Sequence, residues 1–290
     1  MWFWWAILGA FLAAVVAVLN KQVLSKVNAS VLSWTLFSLN IPLVIWLAWR
    51  QGFGEINWSG FLLGVVGSAT VFAAAKTLAM SGLKQGRLSL LAPLASFHPA
   101  TAYILGLIFL GETVSVKAMI GLTLVVVGVY LLKFERADKD LLLPLKKLFT
   151  EKDSLKVVIA SVITSVSAVF DKIAIISVKP DNPALVLLGE NLVITLLLAG
   201  YLSQRKPGWL TQVKNNFKSL ALQSLIYAFS VIAIFKAFAL GPIALAVGIK
   251  QLQLIVILLL GWWWLKDRPK PLGILAAVIM VAGAILIKLA

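Results

Sequence analysis

Matching polar interruptions inside two long apolar segments limit the folds open to this chain more than any other feature. Asn20 and Lys21 interrupt the first apolar segment, and Asp171 and Lys172 interrupt a later one, 151 residues further along the chain. A charged side chain inside a hydrocarbon layer is costly and rare. Its recurrence at matching positions therefore indicates a duplicated chain in which these groups have a purpose.

The correspondence continues along both halves of the chain. VFAAAKTLAMSG matches VIAIFKAFALG, and further on FLGE matches WLKD and VGVYLLK matches AGAILIK. The matched polar pairs are Asn40 with Asn191, Lys76 with Lys236, Glu112 with Asp267, and Lys133 with Lys288. Duplicated apolar halves with polar interruptions are typical of membrane transport proteins built from repeats.

The composition places these segments in a membrane. Apolar residues make up 61% of the chain and charged residues 13%, and whole segments of about 20 residues lack a polar face. The net charge of +15 resides mainly in the loops between apolar segments, which indicates membrane-flanking loops and not a nucleic-acid partner. With no cysteine and one histidine, the chain has no disulfide framework and no metal site of several cysteines or histidines.

Ten segments are long and apolar enough to cross a hydrocarbon layer about 30 Å thick as helices. We predict these spans over 2–20, 30–49, 58–80, 88–110, 114–133, 155–177, 183–202, 217–239, 243–264 and 271–288. Because each half has an odd number of spans, the second half enters the membrane from the opposite side. The predicted fold is an all-α membrane protein of two inverted five-helix repeats, 1–133 and 155–290, with a connecting loop over 134–154.

Basic residues concentrate in the loops on the side opposite to the termini. The positive-inside rule then places both termini outside and the connecting loop in the cytoplasm. We expect an integral, multi-pass protein of the plasma (inner) membrane, whose partners are the lipid bilayer and a small-molecule substrate. The oligomeric state stays open, and a monomer is compatible with the sequence.

Four of the matched cations lie near the ends of spans. Lys21 and Lys76 lie toward the basic side, and Lys172 and Lys236 lie toward the side of the termini. A lysine near a helix end can snorkel, which lifts its ammonium group to the interface, or it can face a polar cavity. The recurrence at matching positions favours the cavity.

Lys250 lies deeper than these four, about 10 Å into the ninth span at the helical rise per residue. Gln251 and Gln253 follow it, and a lysine at that depth requires a carboxylate, a carbonyl or an anionic ligand. The acids inside the spans, Asp171 and Glu190, either form structural ion pairs with lysines or act as proton-linked groups. We favour ion pairs because the nearby lysines outnumber the acids.

The fourth span has Pro93 and Pro99 on either side of His98. Proline removes an internal hydrogen bond, so a break or kink at this point would free backbone carbonyls beside an imidazole. Such a group can bind a substrate or a cation. The alternative is a kinked helix with a satisfied core histidine.

Motifs for hydrolysis or nucleotide binding are absent from the sequence. No GxxxxGK[ST] phosphate-binding loop and no credible Ser/His/Asp arrangement appears, so we expect neither an enzyme nor a cofactor, and the chain cannot use ATP by itself. We assign Glu112 and Asp267, which lie at span ends, to capping or gating contacts.

The segment FLGETVSVKAMIGLTLVVVGVYLL resembles the signature that closes each half of EamA-type permeases of the drug/metabolite transporter superfamily. WLKDRPKPLGILAAVIMVAGAILI is similar to it and carries Asp267 in place of the glutamate. The resemblance covers nearly the whole chain and implies ten helices in a basket, with a central cavity lined largely by spans 3, 4, 8 and 9. It also implies cytoplasmic termini, which opposes the count of basic residues.

These observations predict a secondary transporter that works by alternating access on a small metabolite, with the excess of buried cations favouring a carboxylate or phosphate group. The residues that we expect to line the cavity are Lys76, His98, Lys236, Lys250, Gln251 and Gln253. The candidates for ion pairing or proton coupling are Asn20, Lys21, Asp171, Lys172 and Glu190. The alternatives are a proton-coupled drug or cation efflux permease, a channel, and a membrane scaffold or lipid-handling protein without transport activity.

Overall fold

The computed structural model describes residues 1–85, 96–134, 152–265 and 271–290, and the side chains in these ranges except those of 76–85, 152–154, 157 and 263–265. The helices in chain order are α1 (Trp2–Val23), α2 (Ala29–Ser38), α3 (Ile41–Gln51), α4 (Trp58–Gln85), α5 (His98–Leu110), α6 (Val116–Lys133), α7 (Lys152–Ile176), α8 (Pro183–Arg205), α9 (Trp209–Asn215), α10 (Phe217–Leu240), α11 (Ile243–Lys250), α12 (Gln253–Leu265) and α13 (Pro271–Lys288). The strands are β1 (Glu55–Ile56) and β2 (Val178–Lys179).

The predicted all-helical membrane architecture is confirmed in its main features. Among the described residues, nine helical segments are long and apolar enough to cross a membrane. Two of them consist of consecutive helices, α2 with α3 and α11 with α12, because turns interrupt the second and ninth predicted spans. The fourth predicted span extends into residues 86–95, which lie outside the described ranges, and its described part is the shorter apolar helix α5.

Asparagine and serine side chains set the starts of several helices. Asn28 accepts a hydrogen bond from the backbone N–H of Ser30 ahead of α2, and Asn182 accepts one from Leu185 at the start of α8. Ser115 caps α6 in the same way. Each cap satisfies a backbone donor that the first helical turn leaves without an internal partner.

The described residues divide into two compact units, and each unit combines parts of both halves of the chain. Unit 1 consists of residues 1–70 and 170–240, and unit 2 consists of residues 71–169 and 241–290. The long helices α4 and α7 run from one unit into the other.

In unit 1, α1 packs against α10, and α8 packs against α2, α3 and α10. The glycines that the sequence places in α4 allow a close helix approach, since a methyl group on Gly64 would lie 2.5 Å from the backbone nitrogen of Ala174 on α7. An unpredicted two-residue strand pair joins β1 to β2, with Glu55 opposite Lys179. Gly54 precedes it with φ +50°, and a side chain there would collide with the carbonyl oxygen of Lys179.

In unit 2, α6 packs along α13, and α11 contacts α5, α6 and α13. The α6–α13 contact depends on Gly121 and Gly283, because a methyl group built on either residue would lie 2.6 Å from the carbonyl oxygen of the other. Small residues of this kind let two helix backbones approach closely and compensate for the weak driving force between apolar helices in lipid. This packing places the ends of α5, α6 and α11, which carry polar groups, in the same unit.

Candidate substrate and ion sites

Two lysines and one histidine interact electrostatically in unit 2. His98 begins α5, Lys133 ends α6, and Lys250 ends α11. The ammonium groups of Lys250 and Lys133 both lie close enough to act electrostatically on the imidazole of His98, and Lys250 does so more strongly. We call these three residues the basic site.

Local sequence explains why these helices begin and end at the basic site. Pro99 occupies the first turn of α5, where proline costs no hydrogen bond, and a short turn at Ser96 and Phe97 precedes it. After Lys250 the backbone tightens, and the N–H of Gln251 bonds to the carbonyl of Gly248 at 3.1 Å. This tightening separates α11 from α12 without leaving the backbone unpaired.

Glu112 holds the opposite end of α11. Its Oε2 accepts a hydrogen bond of 2.8 Å from the backbone N–H of Ile243, the first residue of that helix. A carboxylate at a helix N-terminus satisfies a free donor and interacts favourably with the helix dipole. The structure thus places Glu112 at a helix end, whereas its matched residue Asp267 lies outside the described residues.

A chain of hydroxyl groups fixes the start of α5 against α7. The hydroxyls of Thr101 and Ser165 lie 2.6 Å apart, and Ser165 donates to the backbone carbonyl of His98 at 3.0 Å. The imidazole of His98 hydrogen-bonds to the backbone of Thr164. One bond thus orients the imidazole, and the hydroxyl groups hold the backbone of His98.

Two polar atoms near this point have no hydrogen-bond partner among the described residues. They are Nε2 of His98 and Oγ of Ser96, and both atoms are buried. A buried polar atom without a partner is costly, and such atoms are usually satisfied by water or by a ligand. The basic site therefore has unused hydrogen-bonding capacity beside its two ammonium groups.

Unit 1 contains a cluster of opposite charge. The carboxyl group of Glu190 on α8 lies within hydrogen-bonding reach of the carboxyl of Asp171 on α7 and of the hydroxyl of Ser68 on α4. Ser68 also donates to Oδ1 of Asp171 in a short contact. Tyr227 on α10 lies close enough to both acids to interact electrostatically with them. We call Asp171 and Glu190 the acidic pair.

The remaining predicted lysines have separate surroundings. Lys236 lies in unit 1, with its Nζ 5.9 Å from the ring centroid of Trp5. Lys172 donates to the backbone carbonyl of Phe238 in a short contact in the same unit. The side chain of Lys21 is exposed, as the snorkelling alternative expects. The side chain of Lys76 lies outside those that the structure describes.

The predicted amides lie in different parts of the fold. Gln251 is buried and Gln253 is half-buried, and both follow Lys250 in unit 2. Asn20 lies in unit 1, where its buried Oδ1 has no partner. The matched asparagines meet each other: Nδ2 of Asn191 donates to Oδ1 of Asn40 at 2.7 Å, and both residues are fully buried.

Sequence reasoning missed Lys133, Ser68 and Tyr227 as site residues. The repeat could have indicated Lys133, because it matches Lys288 at the end of the other half. The two lysines nevertheless differ, since Lys288 is exposed whereas Lys133 interacts electrostatically with His98. Ser68 and Tyr227 had no signal, since a lone serine or tyrosine in an apolar span is usual. Within the described ranges, no group of three or more His, Cys, Asp and Glu residues is placed to hold a metal ion.

The nine apolar helical segments and the buried polar sites identify the class of the molecule as an integral, multi-pass membrane protein. The chain belongs to the EamA-like transporter family, whose model matches residues 1–134 and 154–289. It is therefore a membrane transporter by family, as the resemblance of its closing segments indicated.

Two further similarities were found. A solved structure described only as a crystal structure of a protein has a TM-score of 0.69 with 18% identity, over 98% of this chain and 96% of that one, which supports the fold alone. An uncharacterized protein of Methanocaldococcus jannaschii is 35% identical over 65 residues, or 22% of this chain. This alignment spans 47% of that relative, less than two thirds of its length.

Proposed function

We propose that this protein is a secondary active transporter of a small metabolite that bears a carboxylate or phosphate group. It acts in the plasma membrane and works by alternating access of two inverted five-helix repeats. The observation that supports this substrate class is the basic site, in which Lys250, Lys133 and His98 come together inside unit 2.

The energetics of buried charge favour an anionic ligand at the basic site. Two ammonium groups that act on the same imidazole repel each other, and removal of either from water is costly. An anion placed between them offsets both costs and gains charge-assisted hydrogen bonds. The unused Nε2 of His98 and Oγ of Ser96 supply further contacts that fix the orientation of such an anion.

The inverted repeat is supported by reciprocal contacts in unit 2. The alignment of VGVYLLK with AGAILIK matches Gly128 to Gly283 and, in register, Gly121 to Ala276. Gly121 approaches Gly283, and Gly128 approaches Ala276, where a methyl group would lie 2.9 Å from the carbonyl oxygen. Each residue thus contacts the match of the other, as in a self-complementary interface about a twofold axis.

A purely structural role for Lys250 is the competing interpretation. Lys250 is the last residue of α11, and a cation at a helix C-terminus stabilises the helix through its dipole. In that case its loss would lower the melting temperature without a specific effect on transport. The two interpretations therefore differ in what they predict for a variant that folds normally.

The test uses the full chain in proteoliposomes, with counterflow of labelled succinate, glutamate and glycerol 3-phosphate. For Lys250→Gln we expect the uptake of the transported anion to fall at least about tenfold, since a charge-assisted hydrogen bond contributes about 1.5–3 kcal/mol. The melting temperature should remain that of the parent. Lys26→Gln removes an exposed lysine and should leave uptake unchanged. Parental uptake by Lys250→Gln would show Lys250 to be structural.

The acidic pair favours a second candidate, the proton-coupled efflux of hydrophobic or cationic drugs. A cationic substrate requires a buried carboxylate, and Glu190 is buried in unit 1. The corresponding test is growth of a drug-sensitive host that expresses the protein. Resistance that is lost in Glu190→Gln would favour efflux of cations over transport of anions.

The orientation of the chain is part of the proposal. The basic loops place the termini outside, whereas the family expectation places them inside. A reporter that is active only in the periplasm, fused after Ala290, distinguishes the two. Activity supports external termini, and silence with normal expression contradicts them.

A further inference from the structure

The acidic pair in unit 1 has no role in the recognition of an anionic metabolite. We propose that Asp171 and Glu190 together bind one proton and that this proton is the coupling ion of the transporter. The binding of the proton is independent of the substrate, whereas its role in coupling rests on the proposed function.

Geometry is the first reason. Asp171 on α7 and Glu190 on α8 come within hydrogen-bonding reach of each other, and both contact Ser68 on α4. Two carboxylates in direct contact repel each other strongly when both are ionised. One shared proton removes the repulsion and supplies the donor that a hydrogen bond between two carboxyl groups requires.

Burial is the second and independent reason. Glu190 is 8% exposed, and its Oε1 is a buried atom to which no described group donates a hydrogen bond. An ionised carboxylate in this situation would lack both solvation and compensating bonds, which is far more costly than burial of a neutral acid.

Several cationic groups on neighbouring helices contact groups other than the two acids or lie at the surface. On α10, Tyr227 is the titratable group that interacts electrostatically with both acids. On the same helix Lys218 is exposed and Lys236 lies over Trp5. Arg50 on α3 lies over Trp46. Lys172, next to Asp171, donates to the backbone carbonyl of Phe238, Arg205 at the end of α8 is exposed, and the side chains of Lys76 and Lys84 on α4 lie outside the described ones.

The duplication makes this a single proton site. At the repeat spacing of 151 residues, Asp171 corresponds to Asn20 and Glu190 corresponds to Leu39. Neither of those residues carries a carboxyl group, so the first half cannot form the same pair. One proton per chain is therefore the expected stoichiometry. Its release breaks the carboxyl O–H bond, transfers the proton to water and leaves both carboxyl groups ionised.

The first test measures proton binding without any substrate. Infrared spectra of the purified full chain should show the carbonyl stretch of a carboxylic acid above about pH 6, where ordinary carboxyl groups are ionised. Glu190→Gln and Asp171→Asn should each lose this band, while Glu55→Gln, which removes an exposed acid, should keep it. Glu190→Asp retains a carboxyl group and should keep the band at a shifted frequency.

The same spectra contain the results that would overturn proton binding. A folded parent with no such band above about pH 6 means that neighbouring cations keep both acids ionised. A band that survives in both variants comes from another residue. A band that disappears when sodium chloride replaces choline chloride at constant pH means that the site binds sodium.

The second test measures coupling in proteoliposomes, with an anion that the parent transports in counterflow. An imposed gradient of about one pH unit can support about tenfold accumulation for each coupled proton. We expect the ratio of accumulation to counterflow to fall by about this factor in Glu190→Gln but not in Glu55→Gln. An unchanged ratio in Glu190→Gln overturns the inference. The absence of anion counterflow in the parent overturns the proposed function and leaves the infrared result standing.

Discussion

Units 1 and 2 each contain a cluster of titratable side chains, and the two clusters differ in the sign of their charge. Unit 1 holds the acidic pair, in which Glu190 is buried beside Asp171. Unit 2 holds the basic site, where Lys133 and Lys250 act on His98. Both units are built from both halves of the chain, so the difference arises from substitutions within a duplicated framework. A duplicated fold can thus provide separate places for an anion and for a proton.

Both units contain polar and close backbone contacts between helices, and one pair of helices in each unit illustrates one kind of contact. Polar side chains join the helices of unit 1, as in the Asn40–Asn191 hydrogen bond and the 2.9 Å bond from Ser230 to the carbonyl of Gly9. In unit 2, the backbones of α6 and α13 contact each other directly at Gly121 and Gly283. Both devices replace the hydrophobic driving force that lipid-embedded helices lack. They should nevertheless respond differently to substitution.

The largest effect is expected from Gly121→Ala in unit 2. The added methyl group would lie 2.6 Å from the carbonyl oxygen of Gly283, and overpacking of this kind costs about 1–3 kcal/mol. Thermal unfolding in detergent should show a clearly lower melting temperature. Gly200→Ala is the matched control, because no atom lies within 4 Å of its added methyl group. Equal melting temperatures for the two variants would contradict backbone contact as the support of unit 2.

An intermediate effect is expected from the asparagine pair of unit 1. Asn40→Ala and Asn191→Ala each remove one partner of a fully buried hydrogen bond, and each should destabilise the fold by about 1 kcal/mol or more. The double variant should cost less than the sum of the singles, with a coupling of about 1 kcal/mol. Additive effects in the double-mutant cycle would mean that the two side chains do not interact.

The smallest effect is expected from the hydroxyl chain of unit 2. Thr101→Val keeps the shape of the side chain but removes the 2.6 Å contact with Ser165, and such bonds between membrane helices contribute about 0.6 kcal/mol on average. Thr123→Val is the control, since its exposed hydroxyl bonds only within its own helix. A loss for Thr101→Val larger than that for Gly121→Ala would mean that hydroxyl contacts support unit 2 more than backbone contacts do.

Much of the candidate site could be predicted from sequence. The depth of Lys250 in its span and the prolines beside His98 marked two residues of the basic site, and the scarcity of intramembrane acids marked both members of the acidic pair. Lys133 was missed because a lysine at the end of an apolar helix has the same local pattern whether it faces lipid or another helix. Its match Lys288 has the same local pattern but is exposed, so the pattern does not determine the surroundings of the lysine.

The breaks within the second and ninth spans were also missed. The first break has a local signal, since Pro42 lies in the first turn of α3. The turn between α11 and α12, at Gln251 and Leu252, contains neither proline nor glycine. Asn40 lies at the first break, and its amide bonds to the carbonyl of Leu36 at 2.7 Å and to Asn191. Contacts with other helices stabilise a conformation that hydropathy along the chain cannot indicate.

The sequence by itself determined that this protein is a membrane protein of apolar helices in two related halves, since hydropathy and repetition are read along the chain. Only the tertiary structure decided which charges share a unit. Lys250 joins Lys133 and His98, while Lys236 lies over Trp5 in unit 1. The physical reason is that span assignment depends on neighbouring residues, whereas a site depends on the packing of helices that are distant in sequence.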